Sequence, residues 1–341
     1  MTKSVHTQLY IDGKWQDSLS GEEFAIYNPA RPNELVGYAA NADSRDVDLA
    51  CDAAAEAQKQ WSKGLSAAAR GQVMQDIALA VLDYAEPIAE LEALVAGKPI
   101  RDCRVEVAKV AEMFAYYGGW ADKLHGEVIP VPSGHLNYTI REPLGVVFQI
   151  TPWNAPIFTG GWQIAPAIAA GNGVVIKPSE LTPITTVALV KIAESAGLPR
   201  GLVNVLCGLG PTTGQAAIAH PAVRKVVFVG SPETGRRVAM AAAAALKPAV
   251  LELGGKSPVI VFDDADIDTV AETIRYGAFF NAGQDCAQPC RLMVHASIYD
   301  KVVAAVEDQV KQIQIGAPRE EGTEMGPIVS QTQRERVEQF V

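Results

Sequence analysis

The sequence is poor in the residues that build metal sites and disulfide frameworks. Its five cysteines, at positions 51, 103, 207, 286 and 290, are odd in number and never spaced Cys-x-x-Cys. The five histidines, His6, His125, His135, His220 and His295, are scattered. No zinc or other metal site is expected from such a set, and free thiols fit a cytoplasmic chain better than a disulfide scaffold. Positive charge is also in deficit: 29 Lys and Arg stand against 39 Asp and Glu, a net −10. Nothing electrostatic then favours nucleic acid or an anionic membrane as a partner. Met1 to Tyr10 lacks the apolar run of a secretory leader. One uncharged stretch, Pro143 to Ile176, is long enough to span a bilayer. Pro152, Pro156 and Pro166 interrupt it, as do Asn154 and Asn172, so a buried strand–loop–helix–strand unit is expected instead. No repeat and no low-complexity linker is visible.

What is present is core material. The 341 residues are 48% hydrophobic and 20% charged, the profile of a soluble globular chain with more than one lobe. Leu9–Trp15 reads as a strand pair turning at Asp12-Gly13. Turns and helices follow. Ser44 is expected to cap a helix to about Trp61, and Ser66 another to about Tyr84. A third ends near Gly97, before Lys98-Pro99, and a fourth covers Arg101 to Lys123. Gly126 to Arg141 alternates without helical period and reads as a projecting β-hairpin. It is either a surface loop or an oligomer contact. From Val146 onward, short apolar runs alternate with amphipathic stretches. Val146–Ile150, Val174–Ile176, Val203–Leu206, Lys225–Val229 and Ala249–Leu253 are the expected strands. This alternation implies a parallel sheet covered on both faces, with ligands at the strands' C-terminal ends. A second unit opens with a strand at Pro258–Phe262. It continues through a helix at Ile267–Phe280 and a loop ending at Cys286 to a strand at Leu292–His295.

Taken singly, the residues in those loops are ambiguous. Gly230-Ser231-Pro232-Glu233-Thr234-Gly235 follows a strand and opens a helix, where backbone N–H groups favour a phosphate. It is not the GxGxxG fingerprint, and many strand–helix turns contain glycine. Gly208-Leu209-Gly210 with Gly214 is weaker still. Lys177 and Glu180, in Lys-Pro-Ser-Glu, could both reach a ribose or could form a solvated turn. Cys286 is either a buried inert thiol or a thiolate with its pKa lowered by a helix N-terminus. Cys290, four residues on, competes with it. Glu252 ends an apolar strand before Gly254-Gly255. Burial there would raise its pKa toward that of a general base, unless it is a paired structural glutamate. Asn154 sits in a turn between Pro152 and Pro156, which can aim its amide at an oxyanion.

Taken in order, these segments resemble one family. Thr-Pro-Trp-Asn (151–154), Lys-Pro-Ser-Glu (177–180), Phe-Val-Gly-Ser-x-x-x-Gly (228–235), Leu-Glu-Leu-Gly-Gly-Lys-Ser-Pro (251–258) and Gly-Gln-x-Cys (283–286) look like the ordered motifs of the NAD(P)-dependent aldehyde dehydrogenases. The resemblance runs from Ile11-Asp12-Gly13 to Gly326-Pro327-Ile328. It implies an α/β fold with a Rossmann-like parallel-sheet cofactor domain (1–123 and 142–253). An oligomerisation hairpin (124–141) and an α/β catalytic domain, incomplete here (254–341), would complete it. It implies Cys286 as nucleophile, Asn154 with the Cys286 backbone N–H as oxyanion donors, and Glu252 as the base that activates water. Losing one oxyanion donor costs roughly 10²–10³ in rate, so Asn154→Ala is expected to be crippling. Lys177 and Glu180 would hold the adenosine ribose and Ser231 the pyrophosphate, with Ser179 also in the cofactor site. Ile150, Thr151, Pro152, Trp153, Gly208, Gly210, Gly214, Phe228, Gly230, Gly235, Leu253 and Gly254 would line the rest of the cofactor site. Glu180 would repel a 2′-phosphate, which favours NAD over NADP.

The departure from the family is at the C-terminus. Members continue beyond the position of Val341 and supply a Glu-x-Phe-Gly-Pro motif that holds the nicotinamide ribose. The resemblance therefore implies a chain cut short, a fragment or a shortened gene product, with a homodimer or homotetramer formed by the full length. Two other readings stay open: a CoA-acylating semialdehyde dehydrogenase, against which Glu252 argues, and a catalytically inactive nucleotide-binding form. The partner is a small-molecule aldehyde. Asp285 beside the nucleophile hints at an amino- or ammonio-aldehyde, or forms a salt bridge pointing away. Phe158 and Trp162 line an apolar funnel or belong to the core.

Overall fold

A computed structural model of the chain describes residues 5–341; the first four residues of the stretch Met1–Tyr10 read above lie outside the described residues. The N-terminal residues form more sheet than expected. β1 (Val5–Thr7), β4 (Glu23–Asn28) and β5 (Arg31–Ala40) make a three-stranded sheet, in the order β1-β5-β4. The reading of turns and helices after Trp15 is corrected here. Strand β5 begins Arg-Pro-Asn-Glu, polar residues typical of a loop, and its pairing with β4 slips register around Tyr27. Between β1 and β4, β2 (Leu9–Ile11) and β3 (Lys14–Gln16) pair antiparallel. They turn through Asp12 and Gly13, both at positive φ (50° and 71°), a turn whose twist suits a two-residue hairpin.

Four helices follow: α1 (Ser44–Lys59), α2 (Ala67–Asp83), α3 (Ala85–Ala96) and α4 (Ile100–Trp120). Ser44 is not the cap of α1. Asp43 takes that role, accepting from the backbone N–H groups of Arg45 and Asp46, while the Asp46 carboxylate accepts from Asp43 N. This reciprocal pair satisfies amides that a serine one residue later could not reach. Ser66 caps α2 as expected, and α3 stops at Gly97, left-handed at φ 74°. The hairpin is short, β6 (Val128–Ile129) with β7 (Asn137–Tyr138), and exposed.

The alternating region folds as β8 (Val146–Ile150), α5 (Pro156–Ala169), β9 (Gly173–Lys177), α6 (Ile184–Ser195), β10 (Val203–Val205), α7 (Gln215–Ala219), β11 (Val223–Gly230), α8 (Pro232–Ala244) and β12 (Ala249–Leu253). The sheet has seven strands in the order β12-β11-β8-β9-β10-β2-β3, with β8 to β12 parallel. Every residue of β8, β9 and β10 is buried, which is why they read as unbroken apolar runs rather than alternating ones. The chain runs outward from β8 through β9 to β10, then returns to the other side of β8 with β11. That reversal opens a crevice at the C-terminal ends of β8 and β11, where such sheets bind ligands.

The remainder is β13 (Ser257–Val261), α9 (Ile267–Ala278), β14 (Pro289–Val294), α10 (Tyr299–Val310) and α11 (Gln331–Glu338). β13 and β14 form a two-stranded parallel sheet. Its core is small: Val261, Ile298 and Val302. Among the described residues no helix is long and apolar enough to cross a membrane, and no cluster of three or more metal-ligating side chains occurs.

Candidate active site

The crevice is bordered by the loop after β8, which carries Thr151, Pro152, Trp153 and Asn154, and the loop after β11, which opens α8. Pro156 is the first residue of α5, where its missing N–H costs nothing. The Asn154 side chain crosses to the second unit. Its Nδ2 donates to Gln284 O at 2.9 Å, two residues before Cys286. In return Asn281 Nδ2 donates to Asn154 O at 3.1 Å and to Gln284 O at 3.2 Å. Gln284 is itself anchored: Nε2 donates to Asn281 O, and Oε1 accepts from Val329 N, both at 2.9 Å. The loop carrying Cys286 is thereby pinned to the turn carrying Asn154, with one of Asn154's two N–H donors left over.

The loop's backbone is unusual. Asn281, Ala282 and Gly283 follow one another at φ 48°, 55° and 78°. Left-handed backbone at non-glycine residues stores strain and persists only where the surroundings over-determine it, here through buried Asn281 and Gln284. Sequence reasoning missed Asn281 as the residue that ties this loop to the Asn154 turn. Its signal was faint: an asparagine two residues before a glycine is a usual left-handed turn former.

Cys286 does not sit at a helix N-terminus. It lies in the stretch between a 3₁₀ turn (Phe280–Gly283) and β14, so no helix dipole lowers its pKa. Partial burial, and then the Asp285 carboxylate beside it, push the thiol up instead. Cys286 and Cys290 are exposed, whereas Cys51, Cys103 and Cys207 are buried. Asp285 forms no salt bridge among the described residues; its Oδ1 accepts from Ala287 N at 2.7 Å.

Glu252 is also misjudged by the sequence. It is exposed, not buried among apolar neighbours, because β12 is an edge strand. With Val250 it faces an open cavity of about 410 Å³ lined also by Trp162, Gln149, Gln163 and Pro166. Trp162 thus borders open space, 38% exposed; Phe158 is half-buried and outside that lining. Among the described residues no hydrogen bond links Glu252 to Asn154 or Cys286.

On the other flank, Lys177 ends β9 with its side chain 3% exposed. Its Nζ donates to Pro178 O and Gly208 O, both at 2.8 Å, and lies 3.7 Å from the exposed Glu180 carboxylate. Burial pushes this ammonium down from its usual value. Ser179 is buried, its Oγ accepting from Leu181 N. Ser231 is exposed at the cap of α8, accepting from Thr234 N at 3.3 Å. Gly235 lets α8 approach the sheet: a Cβ there would lie 2.5 Å from Leu253 Cδ2. Gly208 is closer still, a Cβ there meeting Thr213 Oγ1, whereas Gly210, Gly214 and Gly254 face open space. Ile150, Phe228 and Gly230 lie at the ends of β8 and β11. Lys177, at the end of β9, and the N-terminus of α8, after β11, thus lie along the same C-terminal edge of the parallel strands, on either side of β8.

The sequence pattern described as the aldehyde dehydrogenase family matches residues 15–341. A mitochondrial benzaldehyde dehydrogenase of Antirrhinum majus is 39% identical over 98% of this chain and 63% of its own length. Human retinal dehydrogenase 2 is 39% identical, over 98% of this chain and 65% of its own. The chain thus spans less than two thirds of the length of these curated relatives. The crystal structure of PnpE in complex with nicotinamide adenine dinucleotide is 43% identical, with a TM-score of 0.95, covering 98% of this chain and 69% of that one. A betaine aldehyde dehydrogenase of Staphylococcus aureus, solved with NAD+, is 37% identical with a TM-score of 0.94, covering 98% and 66%.

Proposed function

The chain belongs to the aldehyde dehydrogenase family, and from that premise we propose that the protein oxidises a small-molecule aldehyde to a carboxylic acid with NAD, through a covalent adduct on Cys286. The observation that carries this reading is the bond from Asn154 Nδ2 to the nucleophile loop at the mouth of the sheet's crevice. In it, Cys286 Sγ, as thiolate, attacks the carbonyl carbon, and the second Asn154 N–H and the Cys286 backbone N–H steady the developing oxyanion. NAD, when bound, supplies the hydride acceptor that leaves a thioester on Cys286. Glu252 then takes a proton from the water that attacks the thioester, releasing the acid and restoring the thiolate.

The residues present fit the dinucleotide. The Lys177 ammonium is buried against two carbonyls and keeps a third N–H direction for a ribose hydroxyl. Glu180 beside it suits a free 2′-hydroxyl and repels a 2′-phosphate, which favours NAD over NADP. The N-terminus of α8, with Ser231, suits the pyrophosphate. Residues 1–123 with 142–253 would form the cofactor domain and 254–341 the catalytic part. The hairpin within 124–141 would serve homodimer or homotetramer contacts, supported by exposed Val128, Leu136 and Tyr138. Five free thiols support a reducing, cytoplasmic setting. Asp285 beside Cys286 favours an amino- or ammonio-aldehyde as substrate.

The test is NADH absorbance over a panel of aldehydes, with Cys286→Ser as control. Turnover is expected with the parent and none with the variant; a variant that turns over equally removes Cys286 from the mechanism. The exposure of Glu252 favours a second reading, in which this chain binds NAD and stops at the acyl-enzyme. A single stoichiometric burst of NADH without steady turnover would select it.

A further inference from the structure

The Asn154 turn is held from below by a cluster of buried charges that the proposed mechanism leaves unused. Glu92 of α3, Lys98 of the following turn and Glu106 of α4 have side chains 0%, 0% and 10% exposed. Lys98 Nζ lies 2.5 Å from Glu106 Oε2 and 3.8 Å from Glu92 Oε1. A cluster of this kind is costly to bury, and apolar side chains of similar volume often serve stability as well or better. Here it provides direction. Glu92 Oε1 accepts from Ile157 N at 3.4 Å. Ile157 is the second residue of α5, three positions after Asn154, so the carboxylate meets the positive end of a 14-residue helix. A second route joins the same cluster to the nucleophile loop. Gly97, beside Lys98, packs on Pro327, whose carbonyl accepts from Gln284 Nε2 at 3.5 Å. Gln284 O in turn accepts from Asn154.

We propose that Glu92, held in place by Lys98, is a positioning residue: it fixes the first turn of α5 and through it the Asn154 amide against the nucleophile loop. The proposal rests on Asn154 being an oxyanion donor. Glu92 touches no reacting atom; it acts through α5, while the route through Gly97 and Pro327 belongs to the Lys98 side of the cluster.

Two readouts test it. The first needs no turnover: hydrogen exchange of residues 153–159 by mass spectrometry in Glu92→Leu and Glu92→Gln. Leu removes the acceptor at similar volume and should speed exchange of that segment by about tenfold or more, leaving α8 unchanged; Gln keeps an acceptor and should behave as the parent. Unchanged exchange in 153–159, or faster exchange everywhere alike, overturns the proposal. Should the Leu variant fail to fold, Glu92→Asp replaces it. The retracted carboxylate must then loosen 153–159 while Gln does not, and the reverse order overturns the idea. The second readout is a double-mutant cycle. Glu92→Leu should lower kcat by about 10- to 100-fold with KM for NAD unchanged, and should cost nothing further in Asn154→Ala. Additive losses mean a general structural role and overturn the proposal. A parent that oxidises no aldehyde overturns the functional reading instead and leaves the exchange result standing.

Discussion

The sheet around β8 and the pair β13–β14 are both parallel β-structure, yet they are held by different forces. Phe148, at the middle of β8, is wholly buried, and one continuous core runs from Leu9 to Ala242. Three buried side chains, Val261, Ile298 and Val302, form the core of the second unit, and its strands alternate between half-buried and exposed. What attaches that unit to the first is largely polar. Asn154 bonds to Gln284. Arg101 and Arg275 converge on Glu324, and Arg104 bridges Glu86 and Glu321. The sheet around β8 is thus a packed frame, and the unit carrying Cys286 is registered to it by hydrogen bonds. Directional bonds set position more sharply than apolar contact does, but they release more readily.

Three measurements would break or sharpen that contrast. Phe148→Ala should cost about 3–5 kcal/mol and lower the main calorimetric transition. Ile298→Ala should fall near the low end, about 2 kcal/mol, and loosen chiefly residues 257–310 in hydrogen exchange. Equal, global losses from both would show a single cooperative core. A smaller effect is expected in acid. Burial alone would raise the Glu324 carboxyl, but hydrogen bonds from Arg275 and Gln314 N outweigh it and hold its pKa below the usual carboxylate range. A carboxylate depressed on folding stabilises above its unfolded pKa of about 4.3 and loses that contribution as pH falls through the lower folded value. Protection of residues 313–326, measured against the intrinsic exchange rate at each pH, should therefore fall below about pH 4, before that of the sheet, and Glu324→Gln should abolish that extra loss. The smallest effect concerns the thiol. Asp285→Asn removes a neighbouring negative charge, so the Cys286 pKa should fall and its alkylation by iodoacetamide at neutral pH should rise a few-fold. A slower reaction would mean that Asp285 assists the thiolate.

The same contrast governs what could be read in the sequence. β8 and β9 were legible because burial on both faces leaves apolar runs such as Val-Val-Phe-Gln-Ile. The turn at Asp12-Gly13 was legible because its residue types carry the conformation. The β4–β5 pair was not, since its strands mix buried with exposed positions and β5 opens on polar residues, so they carry no such run. Glu252 looked buried because its strand is apolar, but burial at an edge depends on what lies alongside, which no local pattern records. The motif around Cys286 was visible. Its electrostatics were not, because the absence of a helix there follows from the left-handed run at Asn281. Glu92, Lys98 and Glu106 read as ordinary helix-surface charges; only packing shows them buried together.

The left-handed run also bears on whether the Cys286 loop can be transplanted. Asn281-Ala282-Gly283 holds its shape through Gln284, whose anchors are Val329 and Asn154, 45 residues downstream and 130 upstream. A short peptide carrying Cys286 would arrive in a new scaffold without either anchor and would relax to ordinary backbone. The reactive loop is therefore not a module in the engineer's sense: its instructions are spread over three distant stretches of chain, and a design that borrows it has to borrow all three.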